Sequence, residues 1–315
     1  MLKKKALKKI FITSLALFIF LFVYVINIID KDNKLDSKME VEYTFNKGTN
    51  SIYLMNKDGY LVKTKTLITS KDKIKQIEDI INSLIIDNDN SFPDELKGTI
   101  PKNTKILEIK YDQEIVTLNF SKEFLNLKKD MEEKTIQSIV YSIFALKDIK
   151  GIYINVESKP LSEYPDSKEK INYPLDKSIG INNRYDITSR NDINKTVVYY
   201  LEKINNDNYY VPVTKYENNR DDKIKVIIDS LSTNYIYEPN LMSVLNTNVK
   251  LNSYNKEENV FFLDFNNYLY DKNNKVLEEV IYSISYSVFD NYDVNNIVFS
   301  VDGKNVKTVM LSDVK

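Results

Sequence analysis

The chain contains neither cysteine nor histidine in its 315 residues. Without cysteine it has no disulfide, no thiolate nucleophile and no cysteine zinc site. Without histidine it has no Ser-His-Asp triad, no HExxH metal site and no imidazole general base. Its six glycines form neither a GxGxxG turn nor a phosphate-binding loop, which excludes nucleotide binding of those kinds. We therefore predict a protein that is not an enzyme, with no catalytic residue, no metal and no cofactor.

The first thirty residues predict a membrane anchor. Five lysines precede Ile10–Ile29, about twenty residues without a charge: Lys3, Lys4, Lys5, Lys8 and Lys9. At ~1.5 Å per residue this segment spans roughly 30 Å, the thickness of a bilayer core. Because basic residues stay on the cytoplasmic side, we expect a single-pass protein of the cell membrane with its domains outside. A cleaved signal peptide is the alternative, but the segment is long and has no A-x-A-like site.

The charge balance argues against nucleic acid as a partner. The chain has 44 basic and 45 acidic side chains, so 39 basic ones remain once the five N-terminal lysines are set aside. Nucleic-acid binding depends largely on neutralising phosphates with Lys and Arg. An acidic exterior therefore predicts other partners.

The sequence is duplicated. A shift of 145 positions places Lys134–Ala145 (KTIQSIVYSIFA) on Glu279–Asp290 (EVIYSISYSVFD), with six of the twelve positions identical. The same shift aligns two further pairs of segments without a gap: Val116–Phe120 with Phe261–Phe265, and Ile152–Leu161 with Ile297–Val306. A repeat of this length indicates two homologous globular domains.

The duplication sets the predicted domain boundaries. We expect a tail and anchor (1–30), a juxtamembrane linker (31–50), a first domain (51–161), a polar connector (162–193) and a second domain (194–315). The two domains are called copy one and copy two below. The polar stretch Ser158–Asp192, which includes most of this connector, carries Pro160, Pro165 and Pro174 and is predicted to be extended, in part packed on a domain.

Hydrophobic periodicity predicts an α+β fold in each copy. Asp58-Gly59 favours a hairpin turn, and Ile74, Ile77, Ile81 and Leu84 recur at helical spacing. The predicted order is β-β-α-β-β-α-β, which suits a two-layer sandwich with helices on one face of a sheet. In copy two the first turn is predicted to be longer, over Glu202–Tyr209. The serines at i and i+4 of the second helix are interpreted as small residues that allow close packing on the sheet.

Several segments together resemble the GerMN domain. They are Pro101–Lys110, Ile115–Leu125, Ile152–Pro160 and the closing Ile297–Val306 (IVFSVDGKNV). The resemblance covers both copies, and it implies an envelope protein of spore-forming bacteria that acts in sporulation or germination. It also implies a fold similar to the ring-building motifs of secretion and sporulation channels. Its implied partners are other sporulation envelope proteins, with homo-oligomerisation as a further expectation.

The favoured hypothesis is a membrane-held assembly or scaffold protein that works through protein contacts. Open sheet edges and faces suit this role. The candidate contact residues lie on the predicted outer faces of the copy-two hairpins: Tyr199, Tyr200, Phe262 and Asp264. The alternative for each of them is an ordinary, half-buried strand residue.

Two other functions remain open at this stage. A peptidoglycan-binding or other glycan-binding module would use the many tyrosines to stack on sugar rings. A hydrolase would need two carboxylates, for which Asp264, Asp302 and Glu157 are the candidates. Asp264 is replaced by Asn119 in copy one, and Asp302, Asn119 and Asp264 fit positions where such side chains cap turns. All four side chains are therefore interpreted as structural.

Overall fold

The computed structural model describes residues 49–86, 92–233 and 241–314. Within these ranges, no helix is both long and apolar enough to cross a membrane. The predicted anchor, Ile10–Ile29, and most of the juxtamembrane linker lie outside the described residues.

Copy one follows the predicted order of elements and adds a short last strand. Its elements are β1 (Thr49–Met55), β2 (Leu61–Leu67), α1 (Lys73–Ser83), β3 (Ile106–Asp112), β4 (Ile115–Phe120), α2 (Lys129–Ile143), β5 (Gly151–Val156) and β6 (Lys159–Pro160). The helical stripe is confirmed at Ile77, Ile81 and Leu84, which are fully buried, while Ile74 is exposed. Asp72 begins α1 by accepting a hydrogen bond from the Lys75 N–H.

Copy two repeats this order. Its elements are β7 (Arg184–Asp186, within the connector), β8 (Ile193–Ile204), β9 (Asp207–Asn218), α3 (Lys223–Ser232), β10 (Leu251–Glu257), β11 (Val260–Phe265), α4 (Glu278–Asn291), β12 (Asn296–Val301), β13 (Lys304–Met310) and α5 (Leu311–Val314). The predicted long turn over Glu202–Tyr209 is wrong. The hairpin turns tightly at Asn205 and Asn206, both with positive φ, and the additional residues lengthen the two strands instead.

The first hairpins of the two copies share one sheet. Its order is β1-β2-β9-β8, with β7 parallel to β9. The remaining strands of each copy form a separate four-stranded sheet, β3-β4-β5-β6 in copy one and β10-β11-β12-β13 in copy two. The expectation of one independent sandwich per copy is therefore corrected, because the two hairpins pair with each other across the middle of the molecule.

The junction between β2 and β9 depends on a connector side chain. The strands pair at Lys63 and Tyr210, and this register places Leu61 opposite Pro212, which has no N–H to donate. The Asn182 side chain fills this position. Its Oδ1 accepts from the Leu61 N–H at 2.9 Å, and its Nδ2 donates to the carbonyls of Leu61 at 2.8 Å and Pro212 at 2.7 Å. The connector is thus part of the shared sheet.

The edges of the shared sheet at β1 and β8 are covered by side chains of the long helices. On β1, the Tyr53 N–H donates to Ser142 Oγ at 3.0 Å and the Tyr53 carbonyl accepts from Ser138 Oγ at 2.6 Å. On β8, the Tyr199 N–H donates to Ser287 Oγ at 2.9 Å, and Asn291 bonds both polar groups of Val197. These serines therefore satisfy edge-strand backbone groups, as close helix packing requires.

Candidate functional site

Two of the four predicted contact residues lie in the core. Tyr199 is 1% exposed and Tyr200 is 6% exposed, because both α3 and α4 pack against β8. Their predicted position on an outer face is wrong. Strand alternation assigned successive residues to opposite faces, but it gave no sign that helices cover this strand closely.

The other two, Phe262 and Asp264, lie on a sheet surface that we call the open face. It consists of Val260, Phe262, Asp264, Val298 and Met310, on one side of β11, β12 and β13. Phe262 is 36% exposed and Met310 50% exposed. Phe262 lies beside Val298 in the parallel pairing of β11 with β12, and Val260 and Met310 flank Asn296 in the neighbouring row.

The equivalent face of copy one is partly covered by the connector. Tyr153 stands where copy two has Val298, and the Tyr173 ring stacks on it with a centroid separation of 5.3 Å. Pro174 lies against Gly151 so closely that a Cβ at that glycine would be 2.7 Å from the proline Cβ. Tyr153 itself stays 40% exposed, so the connector covers the copy-one face only in part.

The carboxylate candidates are held in turns. Asp264 Oδ1 accepts from the Gly303 N–H at 2.8 Å, and its copy-one equivalent Asn119 accepts from the Ser158 N–H at 2.9 Å. Glu157 accepts from the Lys122 N–H at 2.9 Å, while Asp302 has a positive φ in its turn. Asp264, Asn119 and Glu157 thus accept from backbone N–H groups, which agrees with their interpretation as structural residues.

The structure also reveals a cluster between the copies that the sequence did not predict. Equivalent residues meet there, since Tyr53 Oη lies 3.0 Å from Tyr199 Oη, and Asn56 donates to the Glu202 carboxylate at 2.8 and 3.0 Å. Contacts between equivalent positions are what a two-fold relation between subunits produces. The two copies are therefore joined like the halves of a symmetric dimer.

A cavity of about 160 Å³ lies within this cluster. It is lined chiefly by Tyr53, Lys63, Tyr141 and Phe144 of copy one, Tyr199, Tyr286, Phe289 and Asp290 of copy two, and Lys177 of the connector. The Lys63 ammonium lies 3.6 Å from the centroid of the Tyr286 ring, which is a favourable cation–π arrangement.

Asp290 is the charged centre of the cluster. It accepts from Lys177 Nζ at 2.7 Å and from Tyr199 Oη at 2.6 Å. Burial by itself raises the pKa of the Asp290 carboxyl, but the charge of Lys177 and the hydrogen bonds from Lys177 and Tyr199 outweigh it and hold the pKa below its ordinary value. The carboxylate is thus ionised at neutral pH and links the connector to copy two.

The tyrosines of the cluster stay neutral. Burial raises the pKa of the Tyr53, Tyr141 and Tyr199 hydroxyls well above the ordinary value. Neutral phenols and a paired carboxylate provide hydrogen bonds rather than a proton-transfer group near pH 7. The cluster therefore holds the copies together. One difference between the aligned helices points to this cluster, since Asp290 of copy two aligns with Ala145 of copy one.

The comparisons with known proteins agree with this architecture. A family model described as "Germane: Sporulation and spore germination" matches residues 51–162 and 197–307. The chain is 29% identical over 266 residues to the spore germination protein GerM of Bacillus subtilis strain 168, which covers 81% of this chain and 71% of that protein.

A solved structure shares the tandem arrangement. The tandem GerMN domains of the sporulation protein GerM from Bacillus subtilis match with a TM-score of 0.74 and 25% identity, over 81% of this chain and 91% of that one. The resemblance to tandem GerMN domains that the sequence predicted is confirmed. The chain therefore belongs to the Germane family of sporulation and spore germination proteins.

Proposed function

We propose that this chain is a non-enzymatic protein-binding component that acts in sporulation or spore germination. Its family and its similarity to the spore germination protein GerM support this biological process. The molecular role rests on the open face, a sheet surface that carries the apolar side chains of Val260, Phe262, Val298 and Met310.

The open face supports the proposal because it can be compared with the equivalent face of copy one in the same molecule. In copy one the connector partly covers the corresponding strands with Tyr173 and Pro174. In copy two Phe262 on β11 and Met310 on β13 are exposed, with β12 between them. Exposed aromatic and methionine side chains are enriched at protein interfaces, so a partner that covers the open face removes apolar surface from water.

The way the copies are joined restricts where partners bind. Ser138, Ser142, Ser287 and Asn291 already bond the outer edges of the shared sheet. Strand addition at β1 or β8 would have to displace these hydrogen bonds. Contact through a face is therefore favoured over addition to the shared sheet.

A scaffold role also fits the chemistry of the chain. The carboxylates that a hydrolase would use are engaged in turns, as Asp264 and Glu157 show. The predicted helix over Ile10–Ile29 would hold both copies at the outer surface of the membrane. Restriction to a surface raises the local concentration of any membrane-held partner.

Glycan binding is less well supported by the positions of the tyrosines. Within the described residues, the tyrosines that are more than one third exposed are Tyr153, Tyr185 and Tyr268. They lie on β5, on β7 and after β11, and the first two already stack on neighbouring tyrosines. A sugar-binding platform would bring such rings onto one surface.

The test compares equivalent substitutions in the two copies. The full-length tagged chain is crosslinked and purified from sporulating cells as wild type, Phe262→Asp and Thr117→Asp, the last being the equivalent position of copy one. We expect envelope proteins that co-purify with wild type and Thr117→Asp to be lost with Phe262→Asp, while thermal melts show all three folded. Identical recoveries from the three chains, or recovery of wall fragments alone, would refute the proposal.

A further inference from the structure

A second surface lies in copy two, in a groove between helix α3 and the edge strand β10. Its volume is about 350 Å³, which is within the usual range for ligand-binding clefts. Ile228, Val249, Leu251 and Tyr254 form its apolar lining. This groove is separate from the open face, and the inference drawn from it does not depend on the proposed function.

At the equivalent place in copy one, α1 packs against β3. Lys73, the first residue of α1, donates to the Lys147 carbonyl at 2.8 Å and lies 5.8 Å from the centroid of the Tyr111 ring. The start of α3 is held differently. Its N-cap Asp222 accepts from Tyr254 Oη at 3.1 Å and from Tyr292 Oη at 2.6 Å. The helix is thus fixed at its N-terminal end, while the groove remains beside its next turn.

Strand β10 is suited to accept another strand. Among the described residues it is the edge of its sheet and pairs with β11 on one side. An edge strand has a row of backbone groups available for pairing. An added strand would extend the sheet into the groove, where its alternate side chains would meet Ile228 and Leu251.

The charges of the groove favour an acidic partner. Lys225 and Lys250 line it together with a single carboxylate, Asp229. Burial, followed by the charge of nearby Asp221, raises the pKa of Asp229, and two lysines outnumber this one carboxylate. The lining is therefore net positive.

We propose that this groove binds an extended acidic segment of a partner protein, which adds to β10 as a further strand. Apolar side chains of the segment would pack on Ile228 and Leu251, and its carboxylates would lie beside Lys225 and Lys250. Backbone pairing provides affinity and the flanking charges provide selectivity, as in other cases of strand addition.

The test uses defined peptides and the full-length chain in detergent. The probe is a fluorescein-labelled peptide of seven residues, the length of β10, with alternating glutamate and valine. One control peptide replaces glutamate with lysine, and another carries N-methyl groups on alternate backbone amides, which block strand pairing but keep the charges. Binding is followed by fluorescence anisotropy.

The duplication offers a matched pair of variants. Lys225→Glu combined with Lys250→Glu reverses the charge of the groove, and Lys75→Glu combined with Lys105→Glu makes the same change at the equivalent positions of copy one. We expect saturable binding of the acidic peptide that weakens about tenfold or more in the first variant and remains unchanged in the second. Neither control peptide should bind.

Three results would overturn the proposal. The first is equal binding of the lysine peptide, and the second is equal binding of the N-methylated peptide, which would mean that β10 does not accept a strand. The third is an acidic peptide that does not bind, or that binds both variants alike. None of these results depends on Phe262, so failure here and failure of the open-face proposal are distinguishable.

Discussion

Replacing Asp290 with alanine tests whether the inter-copy cluster holds the two copies together. Asp290→Ala gives copy two the residue that copy one has at Ala145, so the helix itself tolerates the side chain. The substitution removes the acceptor of two charge-assisted hydrogen bonds, from Lys177 at 2.7 Å and from Tyr199 at 2.6 Å. The Tyr199 hydroxyl would then keep Tyr53 as its remaining partner.

The expected cost is about 2–3 kcal/mol of unfolding free energy. A hydrogen bond to a charged group contributes roughly 1.5–3 kcal/mol, and two are lost. The side chain of Lys177 is 34% exposed and that of Asp290 is 13% exposed. Water can therefore solvate the freed ammonium, which reduces the loss below that of a fully buried pair.

The assay is urea unfolding of the full-length chain in detergent, followed by tyrosine fluorescence, with Asp293→Ala as control. Asp293 lies three residues beyond Asp290 on the exposed surface, so its removal should change stability by less than about 0.5 kcal/mol. Equal stability of Asp290→Ala and Asp293→Ala would refute the view that this carboxylate links the connector to copy two.

The effect should also depend on pH. Because the pKa of Asp290 is lower in the folded chain than in the unfolded chain, the ionised carboxylate stabilises the fold above the ordinary aspartate pKa of about 4. This contribution is lost as the pH falls through the folded-state pKa. The difference between wild type and Asp290→Ala should therefore be constant above about pH 5 and shrink at lower pH. A difference that grows on acidification would contradict the assigned direction of the pKa.

Two further predictions concern the core. Ser142→Ala should cost about 1–3 kcal/mol, because it leaves the buried Tyr53 N–H without its acceptor. Ser285→Ala should be nearly neutral, since no hydrogen-bond partner lies near that buried hydroxyl among the described residues; equal losses in urea unfolding would count against the edge-capping role. In alkali, the raised pKa values of Tyr53 and Tyr199 mean that stability present below about pH 10 should fall as the pH rises further. Thermal melts from pH 8 upward that stayed level would contradict this.

The order of elements could be predicted because it depends on local patterns. Apolar residues at helical spacing identified α1, and strand alternation identified β4 and β11, since one face of each element is buried. The alignment of Lys134–Ala145 with Glu279–Asp290 then transferred each assignment between the copies. The spacing of apolar residues shows which side of a helix or strand is buried, but it does not show which element packs against that side.

The same patterns could not predict what covers each strand. Alternation placed Tyr199 and Tyr200 on opposite faces, and it could not show that α3 and α4 both pack on β8. The choice of partner for the β1–β2 hairpin was equally hidden, because an edge strand has the same backbone groups available whichever strand it meets. Nor could the patterns show that Tyr173 of the connector stacks on Tyr153 in copy one, while Phe262 stays 36% exposed in copy two.

The connector does more than link the two copies, because its side chains bond to both of them. Its prolines and polar residues predict an extended linker, yet Asn182 completes the hydrogen bonding between β2 and β9 at the position where Pro212 cannot donate. Lys177, five residues earlier, neutralises Asp290 of copy two. A proline within a paired strand is normally destabilising, so Pro212 is tolerated because the connector supplies the missing donor. The two copies are similar halves, and the connector between them joins them into one fold.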